Sequence, residues 1–480
     1  MAAPNPAPPR LGAATLACLV GTGVQLPAYP RGQRAPGVVH LGLGAFHRAH
    51  QALVFDALLR RGDPRWGVLG VAMRSGAVAD SLNAQDGLYS VQMASRQGTA
   101  WQVAGALWRT CLAAREPDAV VAAIAAPSTR WVTLTVTEKG YTPELADLIV
   151  RGLAARQAAG LPGLTLASCD NLSGNGELLR ALCLQAAGSA ALRDWIGRAC
   201  AFPGSMVDRI VPAATAQRRQ EARERLQLDD EAALATEGFW EWVLEARLAD
   251  PSDAQALQAV GVTVVPSVQP FEEAKLRLLN GSHSAMACLG AVVGLPTICD
   301  CITQPAVARF VRGLMTHEVM PHLARPGLDG YREALLTRFA NPALKHSVHQ
   351  IATDSSQKIP QRWPPCVQAQ LDSGASVQRL AFATAVWMRY CLGEDEQGRP
   401  YALSDPLAEA LQGIARRHRG DAPATVQALL GIGAIWGESL PHEPRWTVPV
   451  TRWLARVQAE GVMAALEALN RLNPAGAAPA

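Results

Sequence analysis

Lys275, Asn280 and His283 stand close together in the run Lys-Leu-Arg-Leu-Leu-Asn-Gly-Ser-His, and one helix could present all three to a bound molecule. At about 100° per residue, with Lys275 at 0°, His283 falls at about 80° and Asn280 at about 140°. The chemistry such a set suits is removal of a proton from an alcohol as hydride leaves its carbon. A lysine whose ammonium form is disfavoured by burial can serve as general base near neutral pH, and amide N–H groups can hold a developing alkoxide. That chemistry requires no metal. The same spacing also fits a surface lysine, a helix interrupted at Asn-Gly and a core histidine, so the rest of the chain has to decide.

The elements that would serve these residues begin at Gly37. Val38 to Gly44 is a short apolar strand ending in a Gly-x-Gly turn, and Ala45 to Phe55 has the spacing of an amphipathic helix. Strand, glycine turn and helix bring backbone N–H groups up to a pyrophosphate. The third glycine of that pattern would fall at position 47, which is His, so helix and strand must pack there in another way. Gly67 to Met73 reads as the second parallel strand. It is followed by Arg74 and Ser75, where an NAD-binding fold usually offers an acid, so Arg74 could meet a 2′-phosphate or stack on adenine.

Trp131 to Thr137 alternates as a strand and ends in Glu138-Lys139-Gly140. A helix follows from Pro143 to about Ala159. Leu164 to Cys169 is a further strand, ending in Asp170-Asn171 before another helical stretch through Trp195. Alternating strands and helices predict a mostly parallel, doubly wound sheet, with ligands beyond the carboxyl ends of its strands. Phe202 to Pro212, which carries Asp208 and Arg209, reads as a proline-bracketed loop. Val262 to Pro266 is the last short strand.

From Phe271 the pattern is helical almost to the end, in stretches at 271–293, 304–322, 329–340, 345–352, 376–392, 405–418, 424–434 and 447–472. The organisation expected is an irregular, proline-rich arm over 1–36, a dinucleotide-binding Rossmann-like domain over 37–269 and a predominantly α-helical domain over 270–480 that carries substrate and catalytic residues.

Composition excludes several classes. With 49% hydrophobic and 18% charged residues the chain can bury a large core, and a net charge of +3 without a Lys/Arg run indicates neither nucleic acid nor an anionic membrane. Ten cysteines without a CxxC pair, and no 18-residue apolar run, favour a reducing cytoplasm with no membrane partner. Cys299 and Cys301 form a lone CxC, read as structural, and no metal site is expected. The expected assembly is a monomer or weak oligomer.

Five motifs in order carry a family resemblance: Val39 to Gln51, Thr-Glu-Lys-Gly-Tyr (137–141), Ser-Cys-Asp-Asn (168–171), Phe-Pro-Gly-Ser-Met-Val-Asp-Arg (202–209) and Lys-x4-Asn-Gly-Ser-His (275–283). Together they resemble the polyol-specific long-chain dehydrogenases, the family that includes mannitol 2-dehydrogenase and fructuronate reductase. The resemblance implies Lys275 as general base and Asn171 with Asn280 as the pair holding the substrate oxygen. It further implies that His283 orients substrate, that Glu272 lies on the proton path to solvent and that Asp208 lies in the substrate pocket. For the cofactor loop it implies Gly42, Leu43, Gly44, Ala45, Phe46, His47 and Arg48. Arg74 and Glu138, which follow the carboxyl ends of predicted strands, are also expected at the cofactor, NAD with NADP left open.

The segment from Gln350 to Arg362 bears on the substrate. Gln350 and the ending Lys-Ile-Pro-Gln-Arg look more like fructuronate reductases than mannitol dehydrogenases, and Lys358 with Arg362 offers counter-charge for a sugar-acid carboxylate. The leading expectation is NAD-dependent interconversion of D-fructuronate and D-mannonate, with mannitol oxidation to fructose second. A metal-dependent hydrolase built on His40, His47 and His50, or a non-catalytic sugar-binding protein, is the alternative from another class.

Overall fold

A computed structural model describes residues 8–95, 98–342 and 346–472 and divides the chain into two compact units, Met1–Gln269 and Pro270–Ala480. In the first unit, β1 (Val38–Leu41) pairs in parallel with β2 (Val68–Ala72). A hairpin of β3 (Tyr89–Ser95) and β4 (Gly98–Ala104) precedes β5 (Leu107–Leu112), and β6 (Trp131–Leu134) and β7 (Thr165–Ser168) complete a five-stranded, wholly parallel sheet in the order β5-β2-β1-β6-β7. Every residue of β1, β2, β6 and β7 is buried, as strands covered by helices on both faces must be. Val39, Leu41, Val71 and Leu134 face one apolar core and Val38, Val68, Ala72 and Trp131 the other. This is the doubly wound Rossmann-like arrangement expected. β8 (Ser205–Asp208), β9 (Leu234–Glu237), β10 (Glu241–Glu245) and β11 (Thr263–Val265) form the rest: β10 joins β8 and β11, while β9 joins the hairpin.

Four details of this unit depart from the expectations. The helix read over 45–55 is two, Ala45–Ala49 and Gln51–Arg60, because His50 sits at φ −127°, ψ −92°. Phe202 to Pro212 is not a surface loop but contains β8, buried throughout. The strand read over 131–137 stops at Leu134, since Thr137 takes φ +64°. Residues 8–36, expected irregular, hold a 3₁₀ helix at Ala13–Leu19. Leu11, Leu19 and Val24 are buried against Leu88, Val103 and Leu226, and Arg31 donates to the Gly105 and Leu107 carbonyls.

The second unit is helical. At its centre is the helix Gly281–Val293, buried on all sides from Gly281 through Val292, the condition of a core helix rather than a surface one. Gly290 allows its close packing: a Cβ there would lie 2.5 Å from Cys301 Sγ and 2.7 Å from Val348 Cγ1. Helices at Ser355–Arg362 and Pro364–Asp372 were not expected from the sequence. Part of the helix read over 345–352, Lys345, lies outside the described residues. Among the described residues no helix is long and apolar enough to cross a membrane.

Candidate active site

The chain winds from β1 outward in one direction to β2 and β5, then returns to the other side at β6. The gap beyond the carboxyl ends of β1 and β6 is therefore the topological switch point where such sheets bind ligands. A cavity of about 1030 Å³ opens there, wholly within the first unit. Gly42 and Gly44 line it at β1, Met73 and Arg74 at β2, Ala113 and Ala114 beyond β5, and Thr135 to Thr137 beyond β6. Gly42 is obligatory: its φ is +100°, and a Cβ would lie 2.2 Å from the Thr135 carbonyl oxygen. At Gly44 a Cβ would meet no atom nearer than the Gly42 oxygen at 3.8 Å, so the missing side chain leaves an open cradle beside the first turn of the following helix. A dinucleotide pyrophosphate fits such a cradle, and the apolar side chains of Met73, Val78 and Pro117 fit the flat faces of an adenosine.

Of the residues expected at the cofactor, Gly42, Leu43, Gly44 and Arg74 line this cavity; Ala45, Phe46, His47, Arg48 and Glu138 do not. Ala45 and Phe46 pack on the core, and Glu138 is exposed in the short turn Glu138–Gly140. Arg48 is buried, its guanidinium donating to the Gly44 and Ala232 carbonyls and lying over the Tyr89 ring. It ties the glycine turn to the segment before β9.

His47 answers how helix and strand pack without the third glycine. Its imidazole lies flat on that of His40 in β1, with centroids 3.3 Å apart and planes 11° apart. His40 in turn meets Thr133 Oγ1 at 2.8 Å through Nδ1, and Thr135 Oγ1 at 2.9 Å and the Gly42 carbonyl at 3.1 Å through Nε2. Both ring nitrogens of His40 are thus spent on holding β1 to β6 at the Gly42 turn. His50 gives its Nε2 to the Glu241 carbonyl and packs beside Trp240 and Trp242. These positions belong to packing, which removes the reading of the three histidines as a metal site. Among the described residues no group of three or more His, Cys, Asp or Glu side chains is arranged to hold a metal ion.

Burial pushes the His40 pKa down to about 3 and those of His47 and His283 well below the ordinary value. The folded chain keeps these rings neutral while the unfolded chain takes up protons below about pH 6.5, so stability is complete above that pH and lost as pH falls beneath it. The expected slope is up to about 1.4 kcal/mol per pH unit for each such ring. Thermal midpoints measured from pH 7.5 to 5 should decline steadily below about 6.5.

Beyond β7, Asp170 is buried and Asn171 exposed, within a turn in which Leu172 N–H donates to the Asp170 carbonyl at 2.9 Å. Asn175 braces the same turn, donating to the Asp170 carbonyl and the Ser205 carbonyl. Asp208 ends β8 and is buried. The neighbouring Arg209 donates to the Ala49 and Glu237 carbonyls.

In the second unit, Lys275 to Asn280 form a π-helical segment between Gln269–Ala274 and Gly281–Val293, with Gly281 N–H donating to the Leu276 carbonyl five residues back. The wider turn lowers the rotation per residue below the about 100° of an α-helix, so Asn280 lies closer in direction to Lys275 than α-helical spacing implied. Such segments are often found at functional sites. The carbonyls of Asn280 and Gly281, where this segment ends, are held from outside, by Arg362 Nη1 at 3.0 Å and Trp363 Nε1 at 3.1 Å. Glu272 and Lys275 are half-buried and His283 is buried against Phe339.

Around His283 stand the positive charges of Arg338 and Arg362 together with His346, and Lys358 lies within the influence of Arg362. Burial, then the Arg362 charge, lowers the Lys358 pKa, and burial lowers that of Arg362 to about 10. Lys358 also reaches the Ile351 carbonyl at 3.3 Å, and Arg362 gives Nη1 to Ser284 Oγ at 2.6 Å. Gln350 is exposed on the helix Val348–Ala352. Arg338 and His346 escaped the sequence reading because nothing in their spacing ties them to the Lys275 helix.

A parallel sheet of this order, with a glycine cradle at its switch point, is the architecture of a dinucleotide-binding domain. Residues 36–253 match the model of the mannitol dehydrogenase Rossmann domain and residues 267–458 that of the mannitol dehydrogenase C-terminal domain. D-mannonate oxidoreductase of Escherichia coli K12 is 36% identical over 93% of this chain and 98% of its own length. Mannitol 2-dehydrogenase of Phaeosphaeria nodorum is 36% identical over 92% of this chain and 83% of its own. The Pseudomonas fluorescens mannitol 2-dehydrogenase, solved as a ternary complex with NAD and D-mannitol, superposes with a TM-score of 0.80 at 32% identity, covering 96% of this chain and 99% of that one. The chain belongs to the mannitol dehydrogenase family. It is an oxidoreductase acting on secondary alcohols.

Proposed function

We propose that this NAD-dependent dehydrogenase acts on a sugar acid, interconverting D-fructuronate and D-mannonate. The observation that carries the reading is the pair of charges, Arg338 and Arg362, beside His283, with Lys358 next to Arg362, cations partly withdrawn from water for which a carboxylate is a natural counter-ion. A relative of matching length is named D-mannonate oxidoreductase. The second reading, mannitol to fructose, draws support from the commitment of Arg362 Nη1 to Asn280 and Ser284, which leaves less of its fork for a carboxylate.

In this mechanism Gly42, Leu43, Gly44 and Arg74 hold the cofactor, which when bound supplies or accepts the hydride. Lys275 exchanges the proton of the substrate hydroxyl. The side-chain amides of Asn171 and Asn280 hold the oxygen as charge builds on it, an interaction that strengthens in the transition state. His283, kept neutral by burial, can offer a single hydrogen bond without adding charge. Glu272, one turn before Lys275, relays protons to solvent.

The test compares turnover on fructuronate, tagaturonate, fructose and mannitol with NAD(H) and NADP(H). The expected result is the highest kcat/KM for a ketosugar acid with NADH. A clear preference for uncharged fructose would remove the sugar-acid reading while leaving the dehydrogenase intact.

A further inference from the structure

Thr137 is the feature the mechanism above leaves unused. Its φ of +64° and ψ of +168° lie in a region occupied almost only by glycine, and a β-branched side chain makes the conformation costlier still. Such strain persists only where surrounding structure imposes it, and it gathers at ligand sites. Thr137 lines the dinucleotide cavity, three residues past the end of β6.

What imposes the conformation is Asp170. Its carboxylate accepts from Thr137 N–H at 2.7 Å, from Val136 N–H at 3.2 Å and from the Tyr141 hydroxyl at 3.1 Å, so both ends of the loop after β6 are fastened to one side chain. Two consecutive backbone N–H groups turned to one anion form a nest, here filled by the protein's own carboxylate. Asp170 is 7% exposed, and its backbone carbonyl anchors the turn that carries Asn171.

We propose that Asp170 is a positioning residue whose carboxylate fixes the Thr137 loop against the cofactor and, through the same three hydrogen bonds, ties that loop to the turn that presents Asn171 to the substrate oxygen. The second half rests on the role given to Asn171 above; the first half needs only that the cavity takes the dinucleotide. An aspartate serves where an asparagine would not, because two backbone N–H groups and a hydroxyl all donate and a carboxylate offers only acceptors.

The experiment measures NADH dissociation constants by fluorescence and kcat at saturating NADH, using the best substrate found above. Asp170→Ala should raise the NADH Kd at least tenfold and lower kcat. Thr137→Gly alone should raise the thermal midpoint. Placed in the Asp170→Ala background, Thr137→Gly should recover at least threefold of the lost NADH affinity, since glycine adopts the loop conformation without the latch, but should not recover kcat. A general loss of structure would not be repaired by a glycine. Should Asp170→Ala fail to fold, Asp170→Asn and Tyr141→Phe carry the test, with expected Kd increases of at least threefold and about twofold. An unchanged Kd in Asp170→Ala or Asp170→Asn, or no recovery in the double variant, overturns the proposal. If the unmodified enzyme itself fails to bind NADH, it is the functional reading that falls.

Discussion

Lys275→Ala should lower kcat by about 10²- to 10⁴-fold, the range that a positioned general base or acid contributes. NADH affinity should stay close to that of the unmodified enzyme, because the cofactor cavity is built entirely from the first unit and Lys275 belongs to the second. The fold should also survive. Lys275 is half-buried, whereas Leu278 and Leu279 of the same segment are buried and the Asn280 and Gly281 carbonyls keep their donors from Arg362 and Trp363. Small primary amines added to the variant should restore part of the turnover if what is missing is a proton acceptor. Near-normal turnover without them would mean that another base operates. Lys275→Met separates the two roles of the side chain, since it retains most of the apolar stem while removing the amine, and it should be as inactive as the alanine variant.

The parts legible in the sequence are those whose physics is local. β1, β2, β6 and β7 are buried on both faces, so they read as unbroken apolar runs, and a positive φ at Gly42 announces itself because few other residues could stand there. The stretch holding β8 reads as a loop because prolines bracket it and it carries Asp208 and Arg209. Arg209 is nonetheless buried, its charge met by the Ala49 and Glu237 carbonyls from elements far away in sequence. The break at His50 leaves no mark in the periodicity, since Ala49 before it and Ala52 and Phe55 after it stand at helical spacing. The π segment is the clearest case. Its residues fit an α-helical reading, and the groups that hold its last carbonyls, Arg362 and Trp363, lie some eighty positions downstream. Arg362 reads in the sequence as a substrate contact, whereas in the structure one of its nitrogens serves the helix that carries the proposed base. Arg338 and His346 were missed for the same reason, because proximity to His283 is a tertiary fact.

Asn280→Ala is expected to lower kcat by about 10²- to 10³-fold, the usual consequence of removing one donor from an oxyanion site. The position separates catalysis from architecture unusually well. Arg362 holds the backbone carbonyl of Asn280, not its side chain, so truncation to alanine leaves that clamp in place. Alanine also has a higher helix propensity than asparagine, so the local helix is not weakened. A loss of turnover with an unchanged thermal midpoint and unchanged NADH affinity would therefore report an interaction made with the reacting oxygen. Because the amide acts on charge that develops during the reaction, the loss should appear in kcat and in kcat/KM alike, with little effect on ground-state substrate binding. Asn280→Asp provides the sharper comparison. It preserves the shape but replaces a donor with a carboxylate that can only accept and that repels a developing alkoxide, so turnover should fall at least as far as in the alanine variant. If Asn280→Asp instead retained more activity than Asn280→Ala, the amide would be acting through its shape, and the oxygen would have to be held by other donors.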